Sequence, residues 1–185
     1  EVMVKDMLFA TLDPTMRSFK TEGGSKFILS DTVGFVSDLP TELVAAFRAT
    51  LEEVLSADII LHVRDISHCQ SERQSQDVLS ILTKIGVPQD TPLFEVWNKV
   101  DQLSEDDLLC LTNRATRLEN KFPLSALTGA GIDTLISALE NELRKAREGG
   151  VSRSLLPSLD LPEPRGRLPI AEELMAPALL AWDCA

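Results

Sequence analysis

The chain alternates two hydrophobic patterns as far as about residue 148. Short apolar runs typical of buried strands are separated by stretches in which apolar residues recur every three or four positions, as on one face of a helix. The first run is divided by Gly23-Gly24, which predicts an antiparallel hairpin. Strands are predicted within 17–31, at 59–63 (IILHV), 93–97 (LFEVW) and 122–125 (FPLS), and helices at 41–58, 71–86, 104–120 and 131–150. This alternation predicts an α/β fold, a mostly parallel sheet covered on both faces with the hairpin at one edge.

The pattern stops at Gly150, after which proline becomes frequent. Residues 149–185 contain five of the ten prolines and no sustained period. We therefore divide the chain into a domain at 1–148 and a Pro-rich, weakly ordered tail at 149–185. A solvated tail is the simpler interpretation. The alternative is that IAEELMAPALLAW docks as a short helix interrupted by Pro177.

The composition narrows the class of protein. With 185 residues, 44% of them hydrophobic, the chain can bury one substantial core. No apolar run approaches the roughly 18 residues of a membrane span, and the first residues do not resemble a secretion leader. The three cysteines lack the spacing of a metal site and fit reduced thiols. We therefore expect a cytoplasmic protein without a membrane partner. A net charge of −11 argues against sequence-blind nucleic-acid binding, and we expect no direct sequence-specific DNA binding.

Polar residues at the carboxyl ends of three predicted strands, Asp31, Asn98 and Ser125, indicate where a ligand would bind. In NKVD, the carboxylate of Asp101 could accept both the N1–H and the exocyclic amine of guanine, a two-point match that adenine cannot make. Asn98 would brace the neighbouring loops and approach N7, and the stem of Lys99 would lie on the purine face. Alone, the string is equally compatible with a surface turn that caps the next helix.

Two further strings extend this site. The first residues of SALTGAGID (125–133) would present backbone N–H groups to guanine O6, and its glycines allow a tight turn into the last helix. In DTVGFV, Asp31 could hold magnesium through a water, and Gly34 would let its N–H approach a terminal phosphate. Thr11, in FATLDPT, could complete the magnesium shell. Each string alone is compatible with a turn or a helix cap, and it is their order that favours a nucleotide site.

Together these strings resemble the HflX family of translation-associated GTPases, over roughly residues 1–148. The resemblance rests on LFATLDPTMR, DTVGFVSDLPTELVAAFRATLEEVLSADIILHVRDIS, NKVD and SALTGAGID, of which the second is long and distinctive. It implies a P-loop GTPase-type three-layer sandwich that binds GTP or GDP with Mg²⁺. In complete members it implies GTP hydrolysis and a partner in the large ribosomal subunit. The implied nucleotide contacts are Phe9, Ala10, Thr11, Leu12, Asp13, Asp31, Thr32, Val33, Gly34, Asn98, Lys99, Val100, Asp101, Ser125, Ala126 and Leu127, with Thr11 and Asp31 also on the metal.

The chain departs from the general GTPase pattern in two ways. Phe35 stands where many GTPases carry a glutamine that orients the attacking water, as it does across the resembled family, so the catalytic residue is unknown. In addition, none of the nine glycines begins the phosphate-binding string G-x-x-x-x-G-K-[ST], which in the resembled family lies shortly before KDMLFATLDPT. Without about four charge-assisted hydrogen bonds of roughly 1.5 kcal/mol or more each, GTP affinity is expected to fall about ten-thousandfold.

The resemblance also implies that the sheet lacks its first, central strand. In sheets of this type that strand lies between the strand ending at Asp31 and IILHV. Two interior strand edges would then be left without partners, and exposed edges promote association. We therefore expect a gap, a rearranged pairing or aggregation.

Two other functions stay open at this point. The first is an interaction module that retains the GTPase fold but does not use nucleotide. The second is a phosphoacceptor signalling domain, because Asp31, Asp65 and Lys99 also lie near strand ends. The second alternative would leave NKVD and SAL without an explanation.

Overall fold

The computed structural model describes residues 15–21, 24–31, 54–148 and 178–183. In these ranges the strands are β1 (Thr15–Lys20), β2 (Lys26–Asp31), β3 (Ile59–Asp65), β4 (Leu93–Asn98), β5 (Lys121–Pro123) and β6 (Ala178–Asp183). The helices are α1 (Ser71–Ile85), α2 (Glu105–Ala115) and α3 (Ile132–Glu148). The helix predicted at 41–58 lies mostly outside the described residues, of which 54–56 are helical.

The six strands form one sheet in the order β1-β2-β6-β3-β4-β5. β3, β4 and β5 run parallel, and β1 and β2 form the predicted antiparallel hairpin at one edge. The predicted α/β fold with a parallel core and an edge hairpin is therefore confirmed. Because the carboxyl ends of parallel strands meet at one edge, the register places Asp65 of β3 beside Asn98 of β4.

The central position of the sheet is occupied by β6, which comes from the Pro-rich tail. β6 is antiparallel to both neighbours, with Ala181 opposite Leu29 of β2 and Ile59 of β3. Of the expectations for a sheet without its usual central strand, the rearranged pairing is the one that the structure has. The alternative prediction, that IAEELMAPALLAW docks as a short helix, is wrong for Ala178–Asp183, which form a strand. An apolar run such as ALLAW can form either element, and the backbone groups of two neighbouring strands favour the strand here.

Two hydrophobic clusters lie on the opposite faces of the sheet. One face packs against α3 through Leu135, Leu139 and Leu143, all buried. The other face packs against α1, where Leu82 lies with Ile60. The sheet between two helical layers is the three-layer arrangement that the hydrophobic pattern predicted.

The helix ends explain where the sequence prediction was accurate and where it was too long. α1 ends as predicted at Gly86, whose left-handed backbone (φ 90°) suits glycine. α2 begins after Ser104, whose side chain accepts a hydrogen bond from the Asp107 N–H (3.2 Å). It ends at Ala115, five residues earlier than the predicted 104–120. Asn120 has φ 59°, a conformation that asparagine adopts more readily than most residues, and it turns the chain into β5.

Candidate functional site

The structure brings NKVD and SALTGAGID together at the carboxyl ends of the parallel strands. A 3₁₀ turn, Val100–Gln102, follows β4 directly. Its first N–H, from Val100, donates to the Leu124 carbonyl oxygen (3.2 Å). The Ser125 hydroxyl donates a hydrogen bond to Oδ1 of Asp101. The two strings, which are separated by α2 and β5 in the sequence, therefore form one structural unit.

Asn98 joins the two loops through its side chain. Its Oδ1 accepts hydrogen bonds from the Lys99 N–H (2.7 Å) and the Ala126 N–H (3.0 Å). Asn98, Ser125 and Ala126 are all buried, so removal of a partner would leave a buried polar group unsatisfied. Asn98 thus braces the loop after β5, as the sequence suggested. Its contact with a purine stays a prediction.

Lys99 has an unusual backbone, with φ 68° and ψ 32°. This left-handed conformation is uncommon for residues other than glycine and often occurs at functional sites. The Lys99 ammonium pairs with Oδ2 of Asp65 at 2.5 Å. Burial raises the pKa of Asp65, but hydrogen bonds from Lys99 and Ser67 outweigh burial and hold the pKa below its usual range. From the sequence, Asp65 was considered only for the phosphoacceptor alternative. Its position just after the predicted strand IILHV could have indicated that it lies near Lys99.

The loop that begins at Ser125 is closed tightly by hydrogen bonds within its own backbone. Gly131 has φ 81°, and a β-carbon there would overlap the Pro123 carbonyl oxygen, so a side chain at this position is excluded sterically. The Ser125 N–H donates to the Ala130 carbonyl oxygen (2.9 Å), and the Ala126 N–H to Asn98. No described residue accepts a hydrogen bond from the Leu127 N–H. Of the N–H groups predicted to face guanine O6, the one on Leu127 is therefore the candidate.

Of the other predicted contacts, residues 9–13 and 32–34 lie outside the described residues. Phe35, which replaces the glutamine of many GTPases, lies outside them too, and for Asp31 only the backbone is described, as the last residue of β2. The magnesium ligands Thr11 and Asp31 therefore stay predictions. Within the described ranges, no group of three or more histidine, cysteine, aspartate or glutamate side chains could hold a metal ion. In that same part of the chain, no helix has the length and apolar character needed to cross a membrane.

A buried charged cluster centred on Glu95 lies on the sheet face covered by α1. Glu95 Oε2 accepts from Arg64 Nη1 (3.0 Å) and Trp97 Nε1 (2.8 Å), and Oε1 pairs with Lys121 (2.9 Å). Glu72 of α1 pairs with Arg64 Nη2 at 2.9 Å. Burial raises the pKa of Glu95, but Lys121, Trp97 and Arg64 outweigh burial and lower the pKa to about 2. Trp97 has its indole in this cluster, so its fluorescence would report on the cluster.

The pH dependence of stability is expected to reveal the buried His62 next to this cluster. Burial lowers the pKa of His62 from 6.5 to about 4, so the unfolded chain takes up the proton first as the pH falls. The free energy of unfolding should therefore decrease by about 3 kcal/mol as the pH falls from 6.5 to 4, at about 1.4 kcal/mol for each pH unit. His62→Leu should make the free energy of unfolding less dependent on pH, as measured by urea unfolding at pH values above and below this range. The exposed His68 is the control, and an equal flattening by His68→Leu would contradict the assignment.

The comparison of sequences assigns a family to this geometry. The chain matches the 50S ribosome-binding GTPase family over residues 1–99, which is more than half of its length. The chain belongs to this family. Among curated relatives, the GTPase HflX of Magnetococcus marinus is 44% identical over 145 residues, a match that covers 78% of this chain and 33% of that protein. The GTPase HflX of Escherichia coli is 39% identical over 167 residues, covering 90% of this chain and 37% of the relative.

The HflX-type GTPase resemblance is therefore confirmed, and the chain carries an HflX-type G domain. The chain spans about a third of the length of these curated relatives. The fold agrees with this assignment. The crystal structure of SsGBP in complex with GDP superposes with a TM-score of 0.55 at 25% identity, over 75% of this chain and 43% of that one.

Proposed function

We propose that this HflX-type G domain recognises guanine at the rim formed by NKVD and SALTGAGID. Asp101 accepts hydrogen bonds from the N1–H and the exocyclic amine of the base, the only pair of adjacent donors that distinguishes guanine from adenine on this edge. The Leu127 N–H donates to O6. Asn98 approaches N7, and the aliphatic stem of Lys99 covers the purine face.

The observation that carries this proposal is the hydrogen bond from Ser125 to the Asp101 carboxylate. It holds the carboxylate beside the loop in which the Leu127 N–H lacks a described acceptor. A carboxylate has about four acceptor sites, so one bond from Ser125 leaves capacity for two donors of a base. The side chain of Asp101 is exposed, whereas Ser125 is fully buried. A carboxylate reachable from solvent but fixed by a buried hydroxyl suits a recognition site.

The same proposal extends to the phosphates and to the complete protein. Asp31 and Thr11 would hold Mg²⁺, and Gly34 would approach the terminal phosphate of GTP. In the complete protein the domain would hydrolyse GTP in the cytoplasm and work with the large ribosomal subunit. The description of the matched family, 50S ribosome-binding GTPase, supports the ribosomal partner. The GDP complex of SsGBP supports a guanine nucleotide as ligand.

A titration with nucleoside monophosphates tests base recognition. We expect GMP to bind more tightly than IMP, which lacks the exocyclic amine, and IMP more tightly than AMP, which lacks the N1–H as well. Each lost hydrogen bond to a charged acceptor is worth about 1.5 kcal/mol or more, or at least roughly tenfold in affinity. Equal affinities for GMP and AMP would favour the interaction-module alternative.

For GTP, we expect this polypeptide by itself to bind very weakly. The 185 residues contain no G-x-x-x-x-G-K-[ST] string, so the backbone N–H groups, lysine and magnesium ligand of such a loop are not supplied by these residues. The expected loss is about ten-thousandfold relative to a complete site. Isothermal titration with GTP and Mg²⁺ measures it. Tight binding that depends on Mg²⁺ would contradict the prediction.

A further inference from the structure

We propose that Asp65 is a positioning residue for the purine site, acting through Lys99. Asp65 touches no base itself. It fixes the ammonium group of Lys99, so that the aliphatic stem is held over the rim before the nucleotide arrives. This inference rests on the proposed function, since it concerns how the same site recognises its base.

The sheet register places the two residues beside each other. β3 and β4 are parallel and pair Asp65 with Asn98, the residue that precedes Lys99. The ladder continues one step further, where the Ile66 N–H donates to the Asn98 carbonyl oxygen (3.1 Å). The position of Asp65 relative to Lys99 is therefore set by main-chain hydrogen bonds between two interior strands of the sheet. Lys99 Nζ then lies 2.5 Å from Asp65 Oδ2.

Asp65 is itself held in place. Its Oδ1 accepts hydrogen bonds from the N–H (3.0 Å) and the hydroxyl (2.6 Å) of Ser67. The Ser67 hydroxyl also lies 3.0 Å from Oε1 of Gln102, in the 3₁₀ turn that contains Asp101. The loop after β3 therefore contacts the turn that carries the base-recognising carboxylate.

Both ends of the Lys99 side chain are consequently restrained. At the backbone end, Lys99 has a left-handed conformation, and its N–H donates a hydrogen bond to the Asn98 side chain. At the far end, Asp65 holds the ammonium group. A free lysine loses much rotamer entropy when it is ordered against a ligand. Ordering in the unliganded protein removes that loss from binding, and affinity for the base should rise accordingly.

An ordinary surface ion pair would not have this arrangement. The pair between Lys145 and Glu142 has a similar distance, 2.9 Å, and a comparably exposed carboxylate. It lies within α3, three residues apart, and away from the rim. Such pairs contribute little and position nothing. Glu142→Gln is therefore the matched control for Asp65→Asn.

A double-mutant cycle on the full chain, with GMP affinity as the readout, tests the inference. Asp65→Asn should weaken GMP binding about two- to fivefold, in line with a partly exposed charge pair. In a Lys99→Met background, which keeps the stem but has no ammonium group, the same substitution should have no further effect. Asp65→Glu should restore part of the affinity, and Glu142→Gln should leave it unchanged.

The spectroscopic signature of Lys99 separates positioning from a general structural role. In the unliganded protein, the two Hε protons of Lys99 should have distinct NMR shifts, and these shifts should merge in the Asp65→Asn variant. The thermal midpoint of Asp65→Asn should be lowered no more than that of Glu142→Gln. If Asp65→Asn lowers GMP affinity equally in the unaltered chain and in the Lys99→Met background, the inference is overturned, while base recognition stands. If GMP and AMP bind equally to the unaltered chain, the proposed function fails, and this inference with it.

Discussion

Replacement of Asp101 by asparagine is expected to change the preferred base from guanine to xanthine. The Asp101 carboxylate offers acceptors only, which match the N1–H and amine donors of guanine. Xanthine has an N1–H but carries a carbonyl oxygen in place of the amine, so it needs one acceptor and one donor, as the asparagine amide supplies. Two charge-assisted hydrogen bonds to guanine are lost or reversed. The preference for GMP over XMP should therefore fall by roughly 100-fold or more.

Competition between GMP and XMP for the same protein measures this change. Asp106→Asn is the matched control, because Asp106 is an exposed carboxylate in the first turn of α2, outside the proposed contact. It should leave the preference as it is. An Asp101→Asn variant with the unaltered ranking of the two nucleotides would show that Asp101 does not read the base. The interaction-module alternative predicts indifference in both variants.

Removal of the Glu95 side chain is expected to destabilise the described core as strongly as truncation of a large buried apolar side chain. Glu95→Ala would leave Glu72 as the remaining ion-pair partner of Arg64 among the described residues, and Trp97 Nε1 and the Lys121 ammonium without the Glu95 carboxylate. Breaking a buried charge pair by removing one partner costs about 3 to 5 kcal/mol, because the other charge stays desolvated. Urea unfolding followed by circular dichroism gives the free energy of unfolding for this comparison.

Two further variants distinguish desolvation from simple loss of contacts. Glu148→Ala interrupts an exposed pair with Arg144 (3.9 Å) and should cost less than about 1 kcal/mol. The double variant Arg64→Met with Glu95→Leu removes both members of the buried pair and should recover the part of the lost stability that comes from the uncompensated Arg64 charge. A Glu95→Ala variant no less stable than Glu148→Ala would contradict the account of this cluster.

Local signals in the sequence predicted much of the fold. IILHV and LFEVW are short apolar runs bounded by polar residues, and both are buried parallel strands. Gly86 marked the end of α1 because few other residues adopt its backbone conformation. Asn98 and Ser125 were expected at one edge because parallel strands end at the same side of a sheet, and their loops are hydrogen-bonded to each other.

What the sequence could not predict depends on contacts distant in the chain. Ala178–Asp183 is an apolar stretch in a Pro-rich segment, and only the backbone groups of β2 and β3 decide that it forms a central strand. The pairing of Lys99 with Asp65 requires the register of two strands more than thirty residues apart. Glu95 inside a buried strand was visible as an anomaly, but its charged partners come from two other strands, β3 and β5. Neither periodicity nor local propensity reports such contacts.

Recognition of guanine between Asp101 and the Leu127 N–H can be observed in an amide ¹H–¹⁵N correlation spectrum of the unaltered chain, titrated in parallel with GMP and AMP. We expect the Leu127 amide signal, together with signals of the turn that carries Asp101, to move markedly with GMP and hardly at all with AMP. A Leu127 signal that stays in place with GMP, or that moves equally with both nucleotides, would contradict the claim.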